Sequence, residues 1–324
     1  MKKSLITFLL FTVSTFIFSQ EGVFDVKLTK VDKIIHSYNN IKSINHLVEK
    51  IDYDFETNIE KARAVYTWIA LNIAYENSNV LFSPEFLIYQ NKESLKRLKD
   101  YKNRQTIVEA FETKKAVCLG YALLFNKVCN ALKIKNELIY GYTRSSVEQI
   151  GKIVSNKNHV WNAVYVENEW KLIDLTYGAG YNYRGVWQKY LDVSFFDVNK
   201  DKLRLTHFPS KVFWRKYLKQ KPLKEFCNDP FFHDSFLTSN IEIITPKLGE
   251  IKVKKREKLY LKLKGIDKKA SILYTYSNDK YLRVPHVKNT NSTSRIYFKK
   301  PKENTNLNIY VNNELVMQYK VLVE

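Results

Sequence analysis

The spacing of apolar residues changes period partway along this chain, and that change limits the fold more than any other feature. Between Ile59 and Ile73, the residues Ala62, Val65, Trp68, Ile69 and Ile73 recur at steps of three and four, one core-facing stripe of a helix. From Ile241 onward the step is two. Leu259, Leu261 and Leu263 alternate with polar residues, as do Leu307, Ile309 and Val311, and then Leu315, Met317, Tyr319, Val321 and Val323. Asn312-Asn313 between the last two runs is a hairpin signal. Helices followed by a run of antiparallel strands make an α+β protein, not a doubly wound parallel sheet.

Residues 24–112 read as helical, with a charged interruption from Lys92 to Lys102 that is either a solvated helix or a loop. A second clear helix runs from Val117 to Leu132 with Tyr121, Leu124, Phe125 and Val128 on its apolar side. Strands follow at 135–142, 160–166 and 170–175, and Glu167-Asn168-Glu169 supplies the turn between the last two. The strands beyond residue 240 predict a small β-sandwich. The expected division is a leader at 1–19, an α+β domain at 20–239 and a basic β domain at 240–324.

Composition narrows the class. With 45% hydrophobic and 14% aromatic residues, the 324-residue chain is too apolar for disorder and long enough for roughly two domains. Three cysteines with no Cys-x-x-Cys make neither a disulfide scaffold nor a zinc site. Lys2 and Lys3, the apolar run from Leu5 to Phe18 and the small Ser19 before Gln20 have the form of a secretory signal peptide. A retained membrane anchor is the alternative, but the run is shorter than the ~20 residues a spanning helix needs. The expectation is therefore an exported protein, periplasmic, cell-surface or extracellular, with no integral span after processing. The formal charge is +20, and from Asn240 to Glu324 alone 18 Lys or Arg stand against 8 Asp or Glu. That basic module can dock to an anionic cell-envelope component, or its lysines are simply the solvated face of a sheet. Nucleic acid is not expected as a partner, since export removes it and no recognition motif appears.

Chemistry concentrates between Cys118 and Gly180. Cys118 sits where the second helix begins, after Lys114 and Lys115. A helix N-terminus and nearby cations both favour thiolate over thiol. His159 opens a strand in Asn158-His-Val-Trp-Asn, and Asp174 ends the next in Trp170-Lys-Leu-Ile-Asp-Leu-Thr. A thiol nucleophile needs an imidazole to take and return a proton, and the imidazole needs a third group to fix its tautomer. Taken singly, each of the three has a bland reading: a small core cysteine, a structural histidine, a turn-capping aspartate.

Together their settings resemble the transglutaminase-like branch of the papain-like cysteine enzymes, closest to the kyphoscoliosis-peptidase type. The resemblance rests on Ala116-Val-Cys-Leu-Gly-Tyr-Ala-Leu-Leu-Phe, on His159-Val-Trp-Asn-Ala-Val and on Trp170-Lys-Leu-Ile-Asp-Leu-Thr-Tyr-Gly-Ala-Gly. Lys61-Ala-Arg-Ala-Val-Tyr-Thr-Trp-Ile resembles the family's leading helix, and His207-Phe-Pro, Trp214 and Glu225-Phe resemble that subgroup's extension. The resemblance covers about residues 55–230. It implies helices packed on an antiparallel sheet, with Cys118 as nucleophile, His159 as general base and acid, and Asp174 as orienting carboxylate. It implies acyl transfer from a protein or peptide amide to water or an amine, with no cofactor and no metal. Leu175 and Tyr177 depart from the Pro and Trp common at those places in the family.

Two details stay open. A tight hairpin centred on Asn168 sets Asp174 opposite Asn162 or Ala163, so contact with His159 calls for a bulge or an offset register. The Cys118 amide is the natural first oxyanion donor; Trp68 is a candidate for the second, although its stripe position marks it as core. His36, His46, His233 and His286 form no ligand-spaced cluster, and His207 reads as structural. If a disulfide forms, Cys129–Cys227 is the pairing that spares Cys118; a buried free Cys129 is the alternative. The rival to an enzyme is a non-catalytic binding or scaffold protein of the cell envelope built on the same fold.

Overall fold

A computed structural model of the chain describes residues 29–76, 88–183 and 185–324. The leader expected at 1–19 lies outside them. Helices Lys30–His36, Ile44–Asp54 and Asn58–Asn72 come first, followed by Lys92–Thr113 and Cys118–Ala131. Thr57 caps the third helix in a reciprocal box with Glu60, which fixes where it starts. The apolar stripe on that helix is buried as its spacing predicts, yet the opposite side is buried too, because Arg63 and Thr67 meet Asp32 of the first helix. Arg63 donates to both Asp32 oxygens at 2.8 and 2.9 Å, so the buried charge is paired and bidentate. The charged stretch after Lys92 is helix rather than loop. Asn91 caps it through Ser94, and in its 22 residues only Ala110 and Phe111 are buried.

Four antiparallel strands form the sheet under the Cys118 helix, in the order Glu169–Ile173, His159–Val166, Asn136–Thr143 and His207–Pro209. Asn162 on the second strand donates to the Ala122 carbonyl at 3.1 Å and ties sheet to helix one turn past Cys118. The strand expected to run through Leu175 stops at Ile173, because Asp174 turns out of the ladder to cap the short helix Leu175–Gly178.

The last third forms two sheets. One pairs Glu242–Thr245, Leu259–Lys264, Thr293–Phe298 and His286–Asn289 in antiparallel order. The other joins Glu250–Val253, Glu314–Val323, Thr305–Val311 and Ile272–Tyr276, with the first of these parallel to its neighbour. Leu259, Leu261, Leu263, Leu307, Ile309, Met317, Tyr319 and Val321 are all buried between them, as alternation requires. Asn312 and Asn313 have φ of 52° and 67°, the conformation of a two-residue hairpin turn. Val311, Leu315 and Val323 are only partly buried, and at Leu315 a register shift leaves Val316 buried and sets Leu315 opposite Tyr310, so alternation breaks at that point. Phe232 and Phe236, ahead of residue 240, join the same apolar cluster. Lys320 donates to the Glu148 and Ile150 carbonyls at 3.1 and 2.9 Å, which ties this part to the first. Among the described residues no helix is long and apolar enough to cross a membrane.

Candidate active site

The structure brings Cys118, His159 and Asp174 to one end of the sheet and adds His207 to them. Cys118 is the first residue of its helix, and Val117 before it is extended with no side-chain cap. The first-turn amides, at the positive end of the helix dipole, are therefore not covered by a capping side chain. Cys118 packs against Ala122 and Val160, the residue after His159, close enough to contribute to the His159 electrostatics.

His159 Nε2 lies 2.5 Å from Asp174 Oδ2, and no bulge is needed to bring them together. Glu167 and Asn168, with φ of 53° and 62°, form a two-residue turn, and Glu169 already belongs to the strand. The ladder then pairs Asn162 with Ile173 without interruption. One further step sets Asp174 level with Trp161, on the side of the sheet to which His159 also points, since Cβ directions alternate. The two are diagonal neighbours on one face. Centring the turn on Asn168, as the sequence reading does, moves the register by one residue and sends Asp174 to the wrong face. That one-residue slip is the whole of the discrepancy.

His207 reaches the same carboxylate from the far side of the sheet. On the central strand Gly141 pairs with His159 on one side and Pro209 on the other, while Thr143 pairs with His207. His207 Nε2 is 3.0 Å from Asp174 Oδ2, and its Nδ1 is 2.8 Å from Thr206 Oγ1. Gly141 is needed between the two histidines, because a Cβ there would stand 2.6 Å from the Trp161 ring and 2.3 Å from the Phe208 carbonyl. The Trp161 ring lies edge-on to His207 at 5.0 Å and stacks with His159 at 5.8 Å. Asp174 Oδ1 accepts from the amides of Thr176 and Tyr177 at 2.9 and 3.1 Å. Four donors thus surround one fully buried carboxylate.

Electrostatics follows from that arrangement. Burial raises the cost of ionising Asp174, but His159, His207 and their hydrogen bonds override it and hold the carboxyl well below its ordinary range. For His159, burial disfavours the imidazolium; the Asp174 charge, its hydrogen bond and Cys118 outweigh it and push the pKa up to about 10. His207 goes the other way. Its burial, with the like charge of His159 adding to it, outweighs the hydrogen bond and charge of Asp174, so its pKa falls and it serves as a neutral donor. With Nε2 committed to Asp174, the nitrogen of His159 left for the thiol is Nδ1. The His-Phe-Pro motif marks His207 in the sequence, but only the three-strand register shows what it touches.

His159, Asp174 and His207 also form the one cluster among the described residues with the side chains to ligate a metal. The geometry favours proton sharing. Two ligands of one tetrahedral ion at about 2.0–2.1 Å stand about 3.3 Å apart, whereas His159 and Asp174 approach to 2.5 Å.

Other candidates fall elsewhere. Trp68 is core, buried and stacked 5.6 Å from Phe111. The Lys114 ammonium lies 3.8 Å over the Phe111 ring and 4.9 Å over Trp68, an aromatic platform for its charge. Burial raises the Tyr75 and Tyr140 phenols, and nearby Cys118 adds to the effect on both. Cys118, Cys129 and Cys227 are all free thiols, so the Cys129–Cys227 pairing does not form; Cys129 sits in the main core and burial drives its thiol far up. His233 bonds Gln318 at 3.0 Å, and His36 bonds the Asp32 carbonyl at 2.8 Å.

Residues 45–175 match the family model of the transglutaminase-like superfamily, so the chain carries a transglutaminase-like domain that includes Cys118, His159 and Asp174. It is 25% identical to the kyphoscoliosis peptidase of Mus musculus over 212 residues, covering 64% of this chain and 30% of the relative. It is 22% identical to hillarin of Drosophila melanogaster over 242 residues, covering 70% of this chain and 27% of that protein. The chain thus spans about 30% of the length of the first of these relatives. A crystal structure of a TGase overlaps 52% of this chain and 37% of its own, with a TM-score of 0.27 and 18% identity.

Proposed function

We propose that the transglutaminase-like domain of this chain is a thiol-dependent acyl-transfer enzyme acting on peptide or amide bonds. Cys118 is the nucleophile, His159 the general base and acid, and Asp174 the carboxylate that orients it. The observation that carries this reading is the buried 2.5 Å contact between His159 Nε2 and Asp174 Oδ2, with Cys118 packed against the neighbouring Val160. His159 takes the proton of the Cys118 thiol. The Cys118 sulfur attacks the amide carbonyl, and the tetrahedral oxyanion meets the uncapped helix start. His159 then gives its proton to the leaving amine, which departs and leaves a thioester. Water or a second amine, deprotonated by His159, attacks the thioester and releases the thiol. Hydrolysis is favoured over crosslinking.

The reading also places the enzyme outside the cytoplasm, on the strength of Lys2, Lys3 and the apolar run to Phe18. Selective alkylation tests the core of the proposal. Iodoacetamide near pH 6 should label Cys118 ahead of Cys129 and Cys227, and an acyl probe should form a thioester on Cys118. A Cys118 no more reactive than the other two thiols overturns the enzyme in favour of a non-catalytic scaffold.

A further inference from the structure

We infer that the outer face of the sheet containing Leu259–Lys264, Thr293–Phe298 and His286–Asn289 binds an anionic polysaccharide through a row of rings beside a row of cations. The register lays the two rows out. Tyr260 pairs with Tyr297, and Tyr297 pairs with His286 on its other side. The three rings are side by side across three strands, with centroids 5.7 and 5.8 Å apart. Two residues along, Lys262 pairs with Arg295 and Arg295 with Lys288. The rows are separated by about 6.7 Å, two residues of strand rise. Their neighbours Leu259, Leu261, Ile296 and Phe298 point the other way into the core.

Three like charges in one row oppose one another directly, an arrangement that destabilises a sheet on its own. Among the described residues no carboxylate pairs with any of the three. Glu242 is taken by Lys264 at 3.8 Å, and Glu257 accepts from the Lys254 amide at 3.3 Å. Beyond the rings a cleft of about 420 Å³ opens, lined by His286 and Tyr297 with Lys258, Lys288 and Lys300 against the single carboxylate of Glu257. Cations therefore flank the aromatic row on both sides. Arg295 lies 5.1 Å over the Tyr260 ring and 3.4 Å from the Tyr297 hydroxyl, which holds the rows together.

A sugar ring offers an apolar C–H face to a tyrosine, and a carboxylate or sulfate on that ring falls within reach of the adjacent cations. Charge complementarity sets the class of ligand: beside the rings, Lys258, Lys262, Lys288, Arg295 and Lys300 outnumber Glu257 at the cleft and Glu242, which Lys264 pairs. Lysines dominate the charge, and they act as point charges. An anionic polysaccharide satisfies both rows and relieves the repulsion in one of them. This site is separate from the thiol chemistry, so its test reads binding and stands whether or not Cys118 is a nucleophile.

The test uses the full chain with three polymers: polygalacturonate, neutral dextran and poly(dT). Polygalacturonate should bind and weaken as salt is raised, since screening acts within about 8 Å at physiological strength. Dextran should not bind at the same concentration. The pair Lys262→Gln with Lys288→Gln should lower affinity about tenfold, close to one 1.4 kcal/mol step. A control pair of equal charge change on the exposed Lys92–Thr113 helix, Lys96→Gln with Lys99→Gln, should leave it within about twofold, inside the small effects expected of distant surface charge. Tyr297→Ala should weaken binding severalfold without changing the salt slope, and its melting curve checks that the sheet persists. Equal losses in the control pair, unchanged affinity in a folded Tyr297→Ala, equal binding of dextran, or tighter binding of poly(dT) would each overturn the proposal.

Discussion

The sheet that carries His159 and the sheet that carries Arg295 are both four-stranded and antiparallel, and they treat charge in opposite ways. In the first, one buried carboxylate receives four donors, and the two histidines beside it take different protonation preferences. In the second, three cations line up in the open with no carboxylate among them. Burial explains the difference. An unpaired charge inside the first sheet would be prohibitively costly, so every member is hydrogen-bonded and the geometry is fixed. On a solvated face the same repulsion is weak enough to tolerate.

The largest effect should come from breaking the buried arrangement at its reacting end. Cys118→Ala should abolish acyl-enzyme formation while the fold persists, because Cys118 is small and packs only in a satellite cluster with Ala122 and Val160. His159→Ala should lower kcat/KM by about 10²–10⁴-fold, the range of general acid–base catalysis. Thioester trapping and circular dichroism check both. Full turnover by Cys118→Ala refutes the assignment.

Asp174→Asn comes next. It keeps the shape but removes the charge that raises His159, so the imidazolium should be lost at much lower pH. In the parent chain activity that needs the imidazolium should fall as pH rises through about 10. Stability follows the same signs. The His159 contribution is complete below its unfolded value near 6.5 and is lost as pH rises through about 10. The Asp174 contribution is present above the ordinary carboxylate range and is lost as pH falls through its depressed value. Stability from this pair is therefore greatest from about pH 4 to 6.5. NMR titration of His159 in the parent and in Asp174→Asn measures the shift directly; equal pKa values in the two would break the comparison.

His207 tests whether the second histidine only fills space. Removing one hydrogen bond to a charged group costs about 1.5–3 kcal/mol, so His207→Phe should slow turnover by at most about 10–100-fold if that energy is expressed in the transition state. His207→Gln, which keeps a donor in reach of Asp174, should restore part of it and return the pH profile toward the parent's. A Phe variant with an unchanged profile and a lowered melting point would make His207 a packing residue alone.

Periodicity made the outlines of both regions legible. The stripe from Ala62 to Ile69 and the alternating leucines of residues 259–263 are buried as their spacing predicts, since burial is what selects those patterns. Cys118, His159 and Asp174 were legible as residues in a resemblance, each on a recognisable element. What escaped the sequence was register. Whether the turn is centred on Asn168 or between Glu167 and Asn168 decides the face on which Asp174 lands, and single-residue turn geometry is not written in hydrophobic period. The same limit hid His207, two strands away across Gly141, and misplaced Leu315 at its bulge. Lys262, Arg295 and Lys288 are scattered in sequence and form a row only once two registers are known.

The smallest expected effect belongs to that row, and it has the opposite sign to the others. Lys262→Thr with Lys288→Thr removes both repulsive pairs around Arg295 while leaving Arg295 over Tyr260 and beside Tyr297. Threonine also suits a strand better than lysine. The denaturation midpoint should rise slightly at low salt, and the gain attributable to charge should shrink as added salt screens the parent. At the same time the variant should lose affinity for polygalacturonate. A surface kept only for solubility predicts no such loss, and a row that stabilises the sheet predicts a lower midpoint instead. Stability gained where binding is lost would show that repulsion on this face is retained for a ligand, the converse of the buried carboxylate whose partners are all supplied by the fold.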